Sequence, residues 1–216
     1  RFSAKRTMAA AQNLYEGIPI GEGDPIGLIT YMRTDSTQVA SQAIAETRGY
    51  ITEKYGANFV PGSSRIFKKK IKGAQEAHEA IRPTSVRREP AMMRSYLTAD
   101  QFKLYDLIWK RMVASQMAAA IFDGTTVDIE AATAASKYLL RASSSALAFP
   151  GFLTLYSEGK DEEDNGNRKA PLPELYQGDA LDLLKLFSDQ HFTKPPPRYT
   201  EASLIKALEE NGIGRP

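Results

Sequence analysis

The segment Thr30-Tyr-Met-Arg-Thr-Asp-Ser36 concentrates reactive side chains, since six of its seven residues carry a polar side-chain atom, and it directly follows the apolar pair Leu28-Ile29. A phenol is almost wholly protonated at neutral pH. It becomes a useful nucleophile only where a cation stabilises the phenolate or the charge developing on the group it attacks. Arg33 stands two residues from Tyr31, on the same face of an extended chain, and its planar fork suits phosphate oxygens. Tyrosine and arginine at this spacing point to phosphoryl chemistry. The plainer reading stays open: Tyr31 as a half-buried strand tyrosine, with Arg33 paired to Asp35.

A second cluster, Ala74-Gln-Glu-Ala-His-Glu-Ala-Ile-Arg-Pro83, places His78 and Arg82 four residues apart. On a helix the two would share a face and could hold one phosphate between a protonated imidazole and a guanidinium. Pro83 works against this, because it drives Arg82 out of helical geometry. Glu76, His78 and Glu79 lack the spacing of a zinc-protease histidine pair, and the chain holds two histidines and no cysteine. Metal binding at these residues is therefore not expected, and any metal site would need carboxylates. No Gly-x-x-x-x-Gly-Lys-Ser/Thr loop occurs, Gly21-Glu-Gly-Asp-Pro25 fails the dinucleotide pattern, and Ser143-Ser-Ser145 lacks the glycines of a nucleophile elbow.

The 216 residues carry a formal charge of only +2, but it is unevenly distributed. Between Arg65 and Arg94 stand nine basic residues (Arg65, Lys68, Lys69, Lys70, Lys72, Arg82, Arg87, Arg88, Arg94) against Glu76, Glu79 and Glu89. That window holds +6 and the remainder −4. Such segregation is the footprint of a polyanion-binding face, or simply a solvated surface. The content of 42% hydrophobic and 25% charged residues is that of a globular protein and excludes collagen, coiled coil and disorder. No apolar run approaches the roughly 20 residues of a membrane span, and no signal peptide is visible, so a soluble intracellular protein is expected. The first residue is Arg1 rather than Met, and both ends read as cuts through a longer polypeptide.

The elements that position these clusters follow from periodicity. Arg1 to Tyr15 reads as a helix with an apolar stripe of Phe2, Met8, Leu14 and Tyr15, ended near Gly17. A glycine- and proline-rich loop leads to a short buried strand at Leu28-Ile-Thr-Tyr-Met32, then to a helix capped by Asp35 or Ser36 that carries Val39, Ile44 and Ile51. Thr98-Ala-Asp-Gln101 has capping-box spacing and opens a helix with Trp109 in the core. From Thr125 the period changes to two, marking a β-rich module through Lys137–Ser143 and Ala146–Phe149. Asp161 to Ala170 is a polar connector, Ala180–Phe187 a further strand or buried segment, and Thr200 starts a helix that ends at Gly212. The fold class is α+β. The expected domains are a mostly helical one over 1–117, a β-rich module over 118–187 that is incomplete by itself, and a further helical domain starting over 188–216.

Five segments in order, Phe2-Ser-Ala-Lys-Arg-Thr-Met8, Ala11-Gln-Asn-Leu-Tyr-Glu-Gly17, Gly27 to Ser36, Ala77-His-Glu-Ala-Ile-Arg-Pro-Thr84 and Arg198 to Pro216, resemble the bacterial type IA DNA topoisomerase I family from one end of the chain to the other. The resemblance implies that Tyr31 attacks a backbone phosphate of single-stranded DNA, giving a 5′-phosphotyrosine link and a free 3′-hydroxyl. It implies strand passage through the bridged gap, relaxation of negatively supercoiled duplex DNA, and no need for ATP. Arg33 matches the arginine that stabilises the attacked phosphate and His78 the histidine that contacts a phosphate nearby; Arg82, Arg198 and Arg215 are expected at DNA. In such a toroidal enzyme the first domain carries the tyrosine, the second is an arch or hinge that lifts it, and the third begins the DNA groove.

The same resemblance implies Mg²⁺ held by an acidic Toprim domain, of which nothing is present here, so the 216 residues alone are expected to bind single strands weakly and not to relax supercoils. A monomer in the cytoplasm, at the nucleoid and away from membranes, is expected. Two alternatives stay open: a noncatalytic single-stranded nucleic-acid-binding module using the basic window, and a relative of the topoisomerase III or reverse gyrase type, although Met32 and the Ile-Gly-Arg-Pro ending lean to topoisomerase I.

Overall fold

The computed structural model describes residues 2–21, 23–34, 36–67, 78–157 and 172–213. They form two compact units, each α or β in character, so that the chain as a whole is α+β. The first comprises the described residues within Arg1–Ala119, Gly151–Ser157 and Tyr199–Pro216, the second those within Ala120–Pro150 and Glu158–Arg198.

In the first unit, helix α1 (Ala4–Glu16) starts at Ser3, whose hydroxyl accepts the Arg6 amide, and stops at Gly17, where φ is +136°. Its inner face presents Ala10, Ala11 and Leu14. The chain then turns back through a loop closed by the Ile18 and Ile26 backbones, paired at 2.9 and 3.0 Å. This return lays the Leu28 amide on the Leu14 carbonyl at 2.7 Å. Gly27 is required there, because a Cβ at that position would lie 2.6 Å from the Tyr15 carbonyl oxygen.

The expected strand at Leu28–Met32 is an extended segment with a single bridge, Ile29 to Pro83, rather than a strand. Thr30 N–H donates to the Arg82 carbonyl and Thr84 N–H to the Leu28 carbonyl, both at 2.9 Å. The Thr30 hydroxyl adds two more bonds: it donates to the Ala80 carbonyl at 2.7 Å and accepts the Arg82 amide at 2.9 Å. The bridge stops at one residue pair because the amides that would extend it are taken elsewhere, Leu28 N–H by the Leu14 carbonyl and Arg82 N–H by the Thr30 hydroxyl. The second partner of this clasp is the chain beyond Ser36. Ala80 N–H donates to the Gln38 carbonyl at 2.7 Å and Ala40 N–H to Glu79 Oε1 at 2.7 Å.

This pairing corrects the expected cap. Helix α2 (Ser41–Tyr55) begins after Ala40 with no side-chain cap, so neither Asp35 nor Ser36 starts it. Residues 36–40 are held extended by 79–80, and Glu79 from that facing segment accepts the amide of the N-cap residue Ala40, the bond that the third helical residue makes in a capping box. Helices α3 (Pro90–Met93) and α4 (Ala99–Ser115) complete the layer. As its spacing predicts, α4 opens on a capping box of Thr98 and Gln101. Trp109 is buried and donates its indole N–H to the Val86 carbonyl at 2.8 Å. Leu14, Leu28, Ile29, Ile51, Tyr105 and Val113 are at most 1% exposed, so α1, α2, α4 and the Leu28-Ile29 segment share one core. Helix α5 (Glu201–Glu210) has the capping box at Thr200, and Glu201 accepts the otherwise unpaired Ala4 amide at the start of α1.

The second unit is a hairpin of β1 (Ile121–Ala132) and β2 (Lys137–Phe149), antiparallel and in register from Phe122 opposite Leu147 to Ala132 opposite Lys137. The two runs expected over 137–149 are one continuous strand. Asp128 faces Arg141 across the pair at 2.6 Å. The segment Ala180–Phe187, expected as a strand or buried, is neither: it has no ladder partner among the described residues, and Leu184 is 94% exposed. The polar connector expected at Asp161 to Ala170 lies outside the described residues.

Two carboxylates tie the first unit together and set its acid sensitivity. Burial raises the Glu79 pKa, but hydrogen bonds from Arg82 and the Ala40 amide outweigh this and hold the carboxyl below its ordinary range. Glu89 is likewise depressed, chiefly by its bond to Lys54, with burial opposing and the Tyr50 hydroxyl adding a further donor. A carboxylate depressed on folding stabilises the native state above its unfolded pKa, and that contribution fades as pH falls through the folded one. We predict a melting temperature that is flat near neutrality and falls once the pH drops below about 4, with a shallower acid decline in Glu79→Gln. A second prediction concerns Gly27: Gly27→Ala lowers stability by about 1–3 kcal/mol through overpacking, seen as a reduced urea midpoint. Gly49→Ala, at an open site in α2, instead raises stability by about 0.5–1 kcal/mol.

Candidate functional site

Tyr31 leaves the clasp at the first residue that is no longer covered. Ile29 is 1% exposed, Tyr31 is 40% exposed and Met32 is 6% exposed, so the two apolar neighbours anchor the segment while the phenol stands out of it. The backbone of the preceding Thr30 is fixed by the bonds described above, which limits how far Tyr31 can swing. Its ring meets Tyr15 edge-on, with centroids 5.3 Å apart and planes at 64°. The His78 imidazole also lies near it, 6.0 Å from the Tyr31 centroid. Tyr15 is delivered by the last turn of α1, beside the Gly27 contact, and His78 by the segment that the Thr30 hydroxyl holds.

The hydroxyl of Tyr31 has no hydrogen-bond partner among the described residues, and in this it differs from the tyrosines built into the core. Tyr50 donates to Glu89 Oε1 at 2.9 Å and Tyr105 to the Arg88 carbonyl at 2.7 Å. Burial raises the pKa of both phenols, which fixes them as neutral donors. Tyr31 presents a free oxygen beside an imidazole instead.

Arg33 is exposed two residues further on. Its alternative partner Asp35 lies outside the described residues. Arg82 sits differently from what its spacing to His78 allows. Residues 78–82 are not helical, and Arg82 turns back onto Glu79, with Nε at 2.6 Å from Oε1 and a terminal nitrogen at 3.0 Å from Oε2. A further bond reaches the Pro83 carbonyl at 2.9 Å, and the side chain is only 14% exposed. This guanidinium is engaged in holding the clasp. Arg198 is exposed on extended chain in the other unit, and Arg215 lies outside the described residues. Glu76 does as well, whereas Glu79 is occupied by Arg82 and Ala40. Among the described residues no group of three His, Asp or Glu side chains could hold a metal ion. These residues do not fit a Mg²⁺ site.

Sequence spacing missed Tyr15 and the individual role of Thr30. Both lie inside motifs it did single out, but only the turn through Gly17 and Gly27 reveals that the end of α1 packs on the tyrosine segment.

The chain is similar to known proteins along its whole length. The DNA topoisomerase family model matches residues 1–216. DNA topoisomerase 1 of Xylella fastidiosa (strain Temecula1 / ATCC 700964) is 48% identical over 219 residues, covering 100% of this chain and 26% of that protein. DNA topoisomerase 1 of Rickettsia felis is 49% identical over 215 residues, covering 100% of this chain and 27% of that protein. The solved structure of full-length topoisomerase I from Thermotoga maritima superposes with a TM-score of 0.72 at 35% identity, over 99% of this chain and 32% of that one. The chain thus spans about a quarter of the length of the curated relatives it matches. With its whole length aligned, at close to half identity and with the fold in common, the chain belongs to the bacterial type IA DNA topoisomerase I family.

Proposed function

We propose that this chain is the tyrosine-bearing part of a type IA topoisomerase and that Tyr31 is the nucleophile that opens one DNA strand. The observation that supports this most directly is the exposed, unpartnered Tyr31 hydroxyl, set beside the Tyr15 and His78 rings on a segment that the Thr30 bonds hold still. In the reaction the Tyr31 oxygen attacks a backbone phosphorus, the bond from phosphorus to the 3′-oxygen breaks, and the phenolic proton passes to solvent while the leaving 3′-oxygen acquires one. Phosphorus ends on tyrosine as a 5′-phosphotyrosine, and the 3′-hydroxyl reverses the step after strand passage. One phosphodiester is exchanged for another, so relaxation of negatively supercoiled DNA needs no ATP.

Arg33 and His78 serve the charge on the phosphoryl oxygens. A donor placed where charge develops lowers the barrier more than one that binds substrate and transition state equally. Arg33, exposed two residues from Tyr31, meets the attacked phosphate in this reading, and His78 the same or the adjoining one. Arg82 acts one step back, keeping Glu79 and the clasp in order rather than touching DNA. Arg198 and Arg215 are assigned to the single-strand groove, where basic side chains follow the backbone. Mg²⁺, which would offset phosphate charge when bound, is assigned to carboxylates outside these 216 residues. The 216 residues alone therefore bind single strands weakly and do not relax supercoils, with or without added Mg²⁺. The working enzyme is a cytoplasmic monomer at the nucleoid.

The competing reading is a noncatalytic single-strand-binding module that carries Tyr31 as a structural residue. In the topoisomerase that contains this segment, Tyr31→Phe abolishes the covalent protein–DNA adduct on denaturing gels while leaving single-strand binding and the melting temperature unchanged. Persistence of the adduct would return Tyr31 to a structural role. His78→Ala slows single-turnover cleavage by about 10²-fold, in the range for removal of one transition-state donor, without a comparable fall in melting temperature.

A further inference from the structure

Each described arginine of the basic window other than Arg65 has a partner in the fold. Arg82 is paired with Glu79 and Arg87 with Glu53 at 2.8 Å. Arg94 lies over the Phe102 ring at 4.1 Å, and Arg88 donates to the Thr84 hydroxyl at 3.1 Å. Among the described members of the window, Arg65 alone lines a cavity without any such partner for its guanidinium. Its backbone, by contrast, is pinned: the fully buried Gln116 side chain accepts the Arg65 amide at 3.2 Å and donates to its carbonyl at 2.9 Å.

The cavity has a volume of about 460 Å³, within the range of small-ligand sites. A second arginine enters it from α4. Arg111 and Ser115 are four residues apart, on one helix face, and both line it. No carboxylate among the described residues pairs with Arg111, whose guanidinium lies 5.7 Å from the centre of the Tyr156 ring. Phe67 and Tyr156 supply aromatic faces, and Thr37 supplies a hydroxyl. Ser36, the last residue of the tyrosine segment, lies on the same wall. Five residues separate it from Tyr31, at most about 18 Å of chain.

We propose that this cavity is a second single-strand subsite, where Arg65 and Arg111 each take a backbone phosphate and a base rests against Phe67 or Tyr156. Two guanidiniums without carboxylates beside aromatic rings are the components of sequence-tolerant single-strand binding. The choice of DNA as the polymer rests on the strand-cleaving reading of Tyr31. A strand held here would be gripped beyond the reacting phosphate, so that the segment between the two points is kept in place while the backbone is open.

The test is the salt dependence of binding of a fluorescent oligodeoxythymidylate to the intact topoisomerase containing this segment, carried as Tyr31→Phe so that no cleavage intervenes. Each phosphate contact contributes about 0.7 to the slope of log affinity against log salt on single strands. Arg65→Gln and Arg111→Gln are each expected to flatten the slope by about 0.7, and the pair by about 1.4. Arg65→Lys with Arg111→Lys restores the slope. Tyr156→Ala weakens binding of the thymidylate but not of an abasic strand of equal length. An unchanged slope in the double glutamine variant, or a slope that the lysine pair fails to restore, overturns the proposal. Arg111 is exposed, so Arg111→Gln carries the test alone if the Arg65 variant lowers the melting temperature. Adduct formation by Tyr31 is read separately, so the subsite can fail while the nucleophile stands, and the reverse.

Discussion

The Thr30 hydroxyl donates to the Ala80 carbonyl at 2.7 Å and accepts the Arg82 amide at 2.9 Å, and it does so one residue before the exposed tyrosine. A hydroxyl has one proton and two lone pairs, so this geometry satisfies one group of each kind on the facing chain. No apolar residue of the same shape could replace it without leaving both backbone groups short of a partner, at a cost of about 1–3 kcal/mol each. Everything at the site is referenced to that contact. It holds residues 78–82 beside 28–31, it thereby sets the His78 ring near Tyr31, and through Glu79 it supplies the oxygen on which the chain enters α2.

A nucleophile must be both accessible and restrained, and the local sequence separates those demands between neighbouring residues. Ile29 and Met32 are buried, Tyr31 is not. The restraint on the phenol comes from rings rather than from a hydrogen bond to its oxygen. Edge-on aromatic contacts contribute about 0.5–1.5 kcal/mol beyond area burial, enough to bias one rotamer while leaving the oxygen free to react. A hydrogen bond to a carboxylate, as at Tyr50, would have restrained the ring as well but would have committed the very atom the reaction needs.

Much of this was legible in the residues because the signals were local. The capping boxes at Thr98 and Thr200 and the glycine stop at Gly17 depend on contacts within one helical turn, so spacing alone locates α1, α4 and α5. The reactive cluster around Tyr31 was visible for the same reason. The failures are all nonlocal. The α2 start was assigned to Asp35 or Ser36, whereas the oxygen that takes its N-cap amide, on Glu79, lies 39 residues away. The apolar run at Leu28 had strand composition, yet the Leu28 amide goes to the Leu14 carbonyl and the Arg82 amide to the Thr30 hydroxyl, which leaves one bridge. The leucines of Ala180–Phe187 were read as a strand or buried segment since composition cannot tell whether a partner surface is at hand, and Leu184 is 94% exposed. The pair His78 and Arg82 is not on a helix, as the local signal of Pro83 indicates.

Charge shows the same division between what is counted and what is placed. A window of +6 implies a broad electropositive face, but a fold can cancel a charge by a carboxylate brought from elsewhere in the chain, and Glu53 does this for Arg87. Such exposed pairs contribute little to stability. Their effect is to remove arginines from competition for phosphate, so that attraction is confined to positions the fold leaves unpaired. Arg33 beside Tyr31 and the guanidiniums of Arg65 and Arg111 are such positions among the described residues. For a strand that must stay in register while its backbone is broken and resealed, a few fixed points serve better than a diffuse basic surface along which it could slide.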